Sequence, residues 1–164
     1  MFAIWFTFDK KDEQYLSEKI RDLGTEYKSQ SFIPHITAYG LVDIHLEVLD
    51  KIVSEIIKNE KKFEVVKTEI SCSEDFWKTV FVEFAENDSF QRMNRKLTDN
   101  LESFSKYDFK PHASLIYKKM EKKSKIKLAE SIAIKDNFTV SGICIQEFSE
   151  DISKWKIMRR YQFE

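Results

Sequence analysis

The sequence predicts an α+β fold made by using a strand-helix-strand-helix-strand unit twice. Three observations predict it. The window Phe32-Ile33-Pro34-His35-Ile36-Thr37-Ala38-Tyr39 is echoed by Phe109-Lys110-Pro111-His112-Ala113-Ser114-Leu115-Ile116-Tyr117. Those windows hold both prolines of the chain and two of its three histidines. Each is preceded by a strand and a helix and followed by a helix and a strand, and Phe8 stands as far before His35 as Phe84 before His112, within one residue. Two long copies point to a bilobal duplication, because solenoids stack three or more shorter units.

Residues Phe2 to Phe8 alternate, with Phe2, Ile4, Phe6 and Phe8 on one face and Ala3, Trp5 and Thr7 on the other, which is a strand with a core face of phenylalanines. From Asp9 to Tyr27, Tyr15, Leu16, Ile20 and Leu23 recur at helical spacing, with Gly24 as the expected helix stop. Pro34 disfavours helix before it and opens a strand over residues 34–39. His45 to Lys58 is an amphipathic helix, and Phe63 to Ile70 and Trp77 to Phe84 are strands. The order then restarts: helix over Asp88 to Phe104, strand over 111–117, helix over Met120 to Ala133, extended chain from Phe138 to Phe148, and a closing strand from Trp155 to Phe163. No Gly-, Pro- or Ser-rich linker divides the halves, so residues 1–164 are expected to pack as a single domain with lobes of about 1–73 and 74–164.

A chain of 164 residues, 42% hydrophobic and 34% charged with fourteen phenylalanines, can fill a core. Its 27 basic and 28 acidic side chains nearly cancel, which argues against long nucleic acid as a partner. No apolar run approaches the roughly 20 residues of a membrane span, and the N-terminus lacks the basic region of a signal peptide. Cys72 and Cys144 form no Cys-x-x-Cys pair, so free thiols and a cytoplasmic location are expected, as is a monomer. The six lysines from Lys118 to Lys127 read as a solvated helix face.

Alternation puts His35, Thr37 and Tyr39 on one strand face, and His112, Ser114 and Ile116 on one face of its counterpart. If a pseudo-twofold axis relates the lobes, two imidazoles and two hydroxyls converge on one cleft. That set suits a phosphodiester: one imidazole takes a proton from water, the other gives one to the leaving oxygen, and the hydroxyls bind phosphoryl oxygens. Histidine can do both because its ordinary pKa, about 6.5, allows one neutral and one protonated ring near neutrality. Neither a His-Glu-x-x-His zinc motif nor a Gly-x-Ser-x-Gly elbow is present, and no metal or cofactor is expected. His45 lacks the Pro-His-x-hydroxyl context and reads as a surface residue.

These motifs resemble those of the 2H phosphoesterases, and within them the cyclic phosphodiesterases acting on 2′,3′-cyclic nucleotides and ADP-ribose 1″,2″-cyclic phosphate. Ala3-Ile4-Trp5 with Asp9 resembles that family's first strand, Phe76-Trp77-Lys78-Thr79-Val80-Phe81 its aromatic-led central strand, and the Trp155 region its close. The resemblance implies antiparallel sheets facing across a central cleft and metal-independent opening of a cyclic phosphate, giving the 2′-phosphate. His35 and His112 take the catalytic positions, with His112 as base and His35 as acid. Thr37 and Ser114 take the phosphate-binding positions, and Trp5, Trp77 and Tyr117 those of aromatics that hold the nucleoside. Strict alternation places Tyr117 on the face opposite His112, so it reaches the cleft only if the strand bends near Ile116. The expected partner is a small nucleotide, with short RNA in the alternative of a 2′-5′ phosphodiesterase. A nucleotide-binding module without turnover is the alternative of another class.

Overall fold

Strand β1 (Phe2–Phe8) is covered on both faces. Ile4, Phe6 and Phe8 enter the main core, while Ala3 and Trp5 pack with Cys144 on the other side. The computed structural model describes residues 1–164. Helix α1 (Lys10–Tyr27) follows, and the Asp9 side chain caps it by accepting from the Asp12 N–H at 2.8 Å. The helix ends at Lys28, which takes the left-handed conformation with φ 57°, and not at Gly24. Gly24 lies inside the helix for a packing reason. A Cβ there would stand 2.8 Å from the Ser29 carbonyl oxygen, so glycine admits the returning chain.

The remaining elements appear in the expected order: β2 (Ile36–Val42), α2 (Leu46–Ile56), β3 (Phe63–Cys72), β4 (Val80–Phe84), α3 (Asp88–Leu101), β5 (His112–Ile116), α4 (Lys122–Ser131), β6 (Asn137–Glu147) and β7 (Lys156–Gln162). Trp77 departs from the expectation of a strand start, because Phe76–Lys78 form a 3-10 turn. The Asp75 carboxylate accepts from the Trp77 N–H at 2.9 Å, and Ser73 Oγ donates to the Lys78 carbonyl at 2.6 Å. Local side-chain bonds of this kind draw the backbone away from the ladder. Helix α4 departs too: Lys125 turns inward, where its ammonium donates to the Ser73 carbonyl and meets Glu74, while its lysine neighbours 122, 123 and 127 stay exposed.

Every strand pair is antiparallel, in the order β2-β1-β6-β3-β4-β5, with β7 added to β6. Strand β3 is the hinge of this arrangement. Its first residues, Phe63 to Val66, pair with β6, and from Lys67 onward it pairs with β4 instead. Strand β7 takes over the vacated edge of β6 from Gly142. The sheet thus opens into two wings, β2-β1-β6-β7 and β5-β4-β3. Each wing draws its third strand from the other half of the sequence, so the wings do not coincide with the expected lobes of about 1–73 and 74–164: β3 and β6 are exchanged between them. The helices cross over likewise, α1 packing on β5 and α3 on β2. One cluster of 30 buried residues runs beneath both wings.

Candidate active site

The two histidine strands carry the same irregularity at the same place. In β2, Thr37 lies opposite Trp5 but Tyr39 lies opposite Ile4, so Ala38 is an extra residue. In β5, Ser114 lies opposite Phe81 but Ile116 lies opposite Val80, so Leu115 is extra. A one-residue slip sends the following side chain to the other face. Tyr39 and Ile116, which alternation assigned to the histidine face, are therefore buried in the core, where the Tyr39 hydroxyl donates to the Ser105 carbonyl at 2.6 Å. Past the bulge, Tyr117 is turned toward the cleft and lines it, as does Gly40 at the matching position of the other wing.

His35, Thr37, His112 and Ser114, from opposite wings, line a single cavity of about 270 Å³. Each histidine is held by the same backbone device. Nδ1 of His35 lies 2.7 Å from the Ile33 carbonyl oxygen, and Nδ1 of His112 lies 2.7 Å from that of Lys110. A carbonyl only accepts, so both rings carry the proton on Nδ1, and Nε2 is left for chemistry. The intervening prolines keep the preceding residues extended, which sets those carbonyls within reach of the rings.

The surroundings of the two rings differ. His35 is buried and stacked on Trp5, with centroids 3.6 Å apart and planes within 9°. Burial pushes its pKa down to about 3, with the Ile33 carbonyl opposing the fall and His112 adding to it. His112 meets Phe81 edge-on at 5.4 Å and is only half-buried. Its pKa is also lowered, chiefly by burial and by Lys78, while the Lys110 carbonyl, Glu83 and Asp75 favour its charged form. The Lys78 ammonium lies over the Phe81 ring, 4.6 Å from its centre.

The hydroxyls differ too. Ser114 Oγ donates to the Trp77 carbonyl at 2.9 Å. No hydrogen bond engages the Thr37 hydroxyl, whose backbone carbonyl accepts from the Tyr107 hydroxyl at 3.4 Å. Of the three aromatics, Trp5 is almost wholly buried and its ring face is covered by His35, so it supports the imidazole. Trp77 and Tyr117 stand 5.3 Å apart beside Trp155, and Phe32 closes on Tyr117 at 4.2 Å. Trp77, Tyr117 and Trp155 face the cavity.

Sequence reasoning did not single out Lys78, Tyr107, Gln146 or Phe148, all of which line the cavity. Gln146 had a signal, since it is the one amide in the apolar run Ile143-Cys144-Ile145 and onward. Tyr107 had none, because it reaches the site through the loop after α3, which the Ser105 hydroxyl straps to the Leu41 carbonyl of β2 at 2.8 Å. His45, as expected, is exposed and starts α2.

No protein-family model matches the sequence, and no curated protein matches it. Among solved structures, the chain is similar to TT0787 of Thermus thermophilus, at 12% identity and a TM-score of 0.69 over 99% of this chain and 97% of that one. It is similar to E. coli LigT complexed with 3′-AMP, at 10% identity and a TM-score of 0.67 over 99% and 96% of the two chains. A phosphoesterase matches at 10% identity and a TM-score of 0.64 over 99% and 97%. LigT also occurs in complexes with NADP+, phosphate and ATP. The α+β fold implied by the resemblance to 2H phosphoesterases is thus the fold of LigT and of that phosphoesterase along the whole chain. No helix is long and apolar enough to cross a membrane.

Proposed function

We propose that this chain is a 2H phosphoesterase that hydrolyses a cyclic phosphodiester, a 2′,3′-cyclic nucleotide or ADP-ribose 1″,2″-cyclic phosphate, to the phosphomonoester. The observation that carries the reading is the convergence of His35 and His112 from opposite wings on one cavity, each with Nδ1 tied to a carbonyl and Nε2 left over. Nε2 of one ring takes a proton from water as the water oxygen attacks phosphorus. In a 2′,3′-cyclic phosphate the bond from phosphorus to O3′ breaks, and O3′ receives the proton held on Nε2 of the other ring, leaving the 2′-phosphate. Thr37 and Ser114 bind the phosphoryl oxygens, and Lys78 offsets their charge. Neither proton transfer calls for a metal or a cofactor.

The surroundings of the two rings support the opposite division of labour from the expected one. The burial of His35 favours a neutral imidazole, which is the form a base needs. His112, near Glu83 and Asp75, is the better holder of a proton and so the acid. The nucleoside lies against Trp77 and Tyr117, while Trp5 acts through His35. The two free thiols, Cys72 and Cys144, support a cytoplasmic location.

A second hollow, of about 210 Å³, shares Trp5 and Trp155 with the first and is lined by Gln30, Ser31, Phe32 and Ile33. It has room for part of a second nucleotide and favours, as the alternative, a 2′-5′ phosphodiesterase acting on short oligoadenylate or RNA ends. A panel of 2′,3′-cyclic nucleotides, ADP-ribose cyclic phosphate, and 2′-5′ and 3′-5′ dinucleotides, assayed with chelator present and with product isomers identified, tests both. Turnover of cyclic phosphates to 2′-phosphates is expected. Cleavage of 2′-5′ dinucleotides alone would favour the alternative, and binding without turnover would overturn both.

A further inference from the structure

One polar atom beside the cavity has no partner. Gln146 lies on β6, wholly buried, opposite Ala3 of β1, and it lines the cavity. Its Nε2 donates to the Glu147 carbonyl at 2.6 Å, and its Oε1 accepts nothing. Reversing the amide would set its oxygen against that carbonyl, acceptor against acceptor, so the unpartnered end is the oxygen. A buried acceptor left without a donor disfavours folding, and such groups persist where something other than folding uses them. The other such atom, Asn94 Oδ1, lies on α3 and takes no part in this cavity.

The surroundings are shaped to admit a ligand edge. Ala3, the strand partner of Gln146, has almost no side chain to cover it, and Tyr107 and Phe148 line the same cavity. Gln146 is two residues along β6 from Cys144, which pairs with Trp5, the support of His35. Two residues of strand span roughly 7 Å, a distance that a nucleoside bridges from its phosphate to the edge of its base. The donor that projects furthest from the edge of a flat ring is an exocyclic amine.

We infer that Gln146 Oε1 accepts a hydrogen bond from the amino group of the substrate's base, so that the site prefers amino-bearing bases. The inference rests on the cyclic phosphodiesterase reading. It makes Gln146 a specificity-determining residue, because a site with an unpartnered acceptor rejects a ligand that leaves it unpartnered.

The test compares two substrates, adenosine 2′,3′-cyclic phosphate and the same ester of purine riboside, which lacks only the amine. The wild-type protein is expected to favour the adenosine ester by roughly tenfold or more in kcat/KM. Gln146→Met, close in volume and without an acceptor, is expected to abolish that preference by slowing the adenosine ester alone. Its melting temperature without ligand should stay close to that of the wild type, since removal of the unpartnered oxygen offsets loss of the bond to the Glu147 carbonyl. Equal rates on the two esters in the wild type, or a preference that survives in Gln146→Met, would overturn the inference. So would a parallel loss on both esters with a lowered melting temperature, which marks a structural role. If the wild type hydrolyses neither ester, its reading as a 2′,3′-cyclic nucleotide phosphodiesterase fails. Binding of the two nucleoside 2′-monophosphates, followed by tryptophan fluorescence, then decides the base preference by the same comparison.

Discussion

The two histidine corners share a backbone and differ in what surrounds it. Both have Pro-His, a carbonyl two residues back on Nδ1, a hydroxyl residue two positions on, and a bulge one residue after that. Yet His35 lies flat and buried on Trp5, while the equivalent strand partner of the other wing, Phe81, meets His112 edge-on beneath Lys78. The duplicated backbone places two identical rings, and the unduplicated side chains around them give those rings different surroundings. The same contrast runs through the hydroxyls and through the position five residues past each histidine, which is Tyr117 in one wing and Gly40 in the other.

The hardest test of that contrast is to remove each ring in turn. His35→Ala and His112→Ala should each lower kcat/KM by about 10³-fold or more, as loss of a general acid or base does. The pH profile separates them. Because burial holds His35 well below its ordinary value, the acid limb of wild-type kcat/KM should lie far below pH 6.5 and disappear in the His35 variant. Because the pKa of His112 is also lowered, activity should be greatest on the acid side of neutrality and fall as His112 loses its proton. An acid limb that persists in His35→Ala and vanishes in His112→Ala would reverse the roles.

The hydroxyls should show a smaller difference of the same kind. Thr37→Ala removes an unengaged donor and is expected to cost about 10²-fold in kcat/KM, as for a lost oxyanion donor. Ser114→Ala removes one whose proton already serves the Trp77 carbonyl, so the loss should be nearer tenfold, with some loosening of the Phe76–Lys78 turn. Equal losses would mean that Ser114 releases Trp77 when phosphate binds.

Stability against acid sharpens the comparison without any substrate. With a folded pKa of about 3 and an unfolded value of about 6.5, His35 binds no proton when folded across a range where the unfolded chain does. Its linkage therefore leaves stability untouched above pH 6.5 and removes it as pH falls from there toward 3, by at most about 1.4 kcal/mol per pH unit. His35→Asn should flatten the fall of melting temperature between pH 6.5 and 5 more than His112→Asn does, because His112 is less buried. Equal slopes would show that the two rings do not differ in desolvation.

What the sequence revealed of this site follows the range over which each feature is determined. Pro-His-x-hydroxyl is local chemistry, so His35, Thr37, His112 and Ser114 could be read from spacing alone. The bulges at Ala38 and Leu115 arise from pairing with β1 and β4, and nothing within the windows marks them. Alternation therefore sent Tyr39 and Ile116 to the cleft and Tyr117 away from it. The exchange of β3 and β6 was hidden for a similar reason: both read as ordinary strands, and only their partners reveal which wing each joins. Trp77 was misplaced because Asp75 and Ser73, which hold its turn, look like any polar connection.

The position past the bulge allows the finest test. At Gly40 a Cβ would stand 2.8 Å from Cδ2 and 3.2 Å from Cε2 of the Tyr107 ring, which occupies the room that a side chain would need. Gly40→Ala must therefore push Tyr107 aside, and overpacking of this size costs about 1 to 2 kcal/mol. A fall in melting temperature of a few degrees is the expected reading. Tyr107→Ala opens a gap at the same place, so the double variant should lose less than the sum of the two single losses, as coupled neighbours do. Strict additivity would show that Tyr107 is not what keeps position 40 bare, and the asymmetry between Gly40 and Tyr117 would then have to come from the ligand each wing is built to hold.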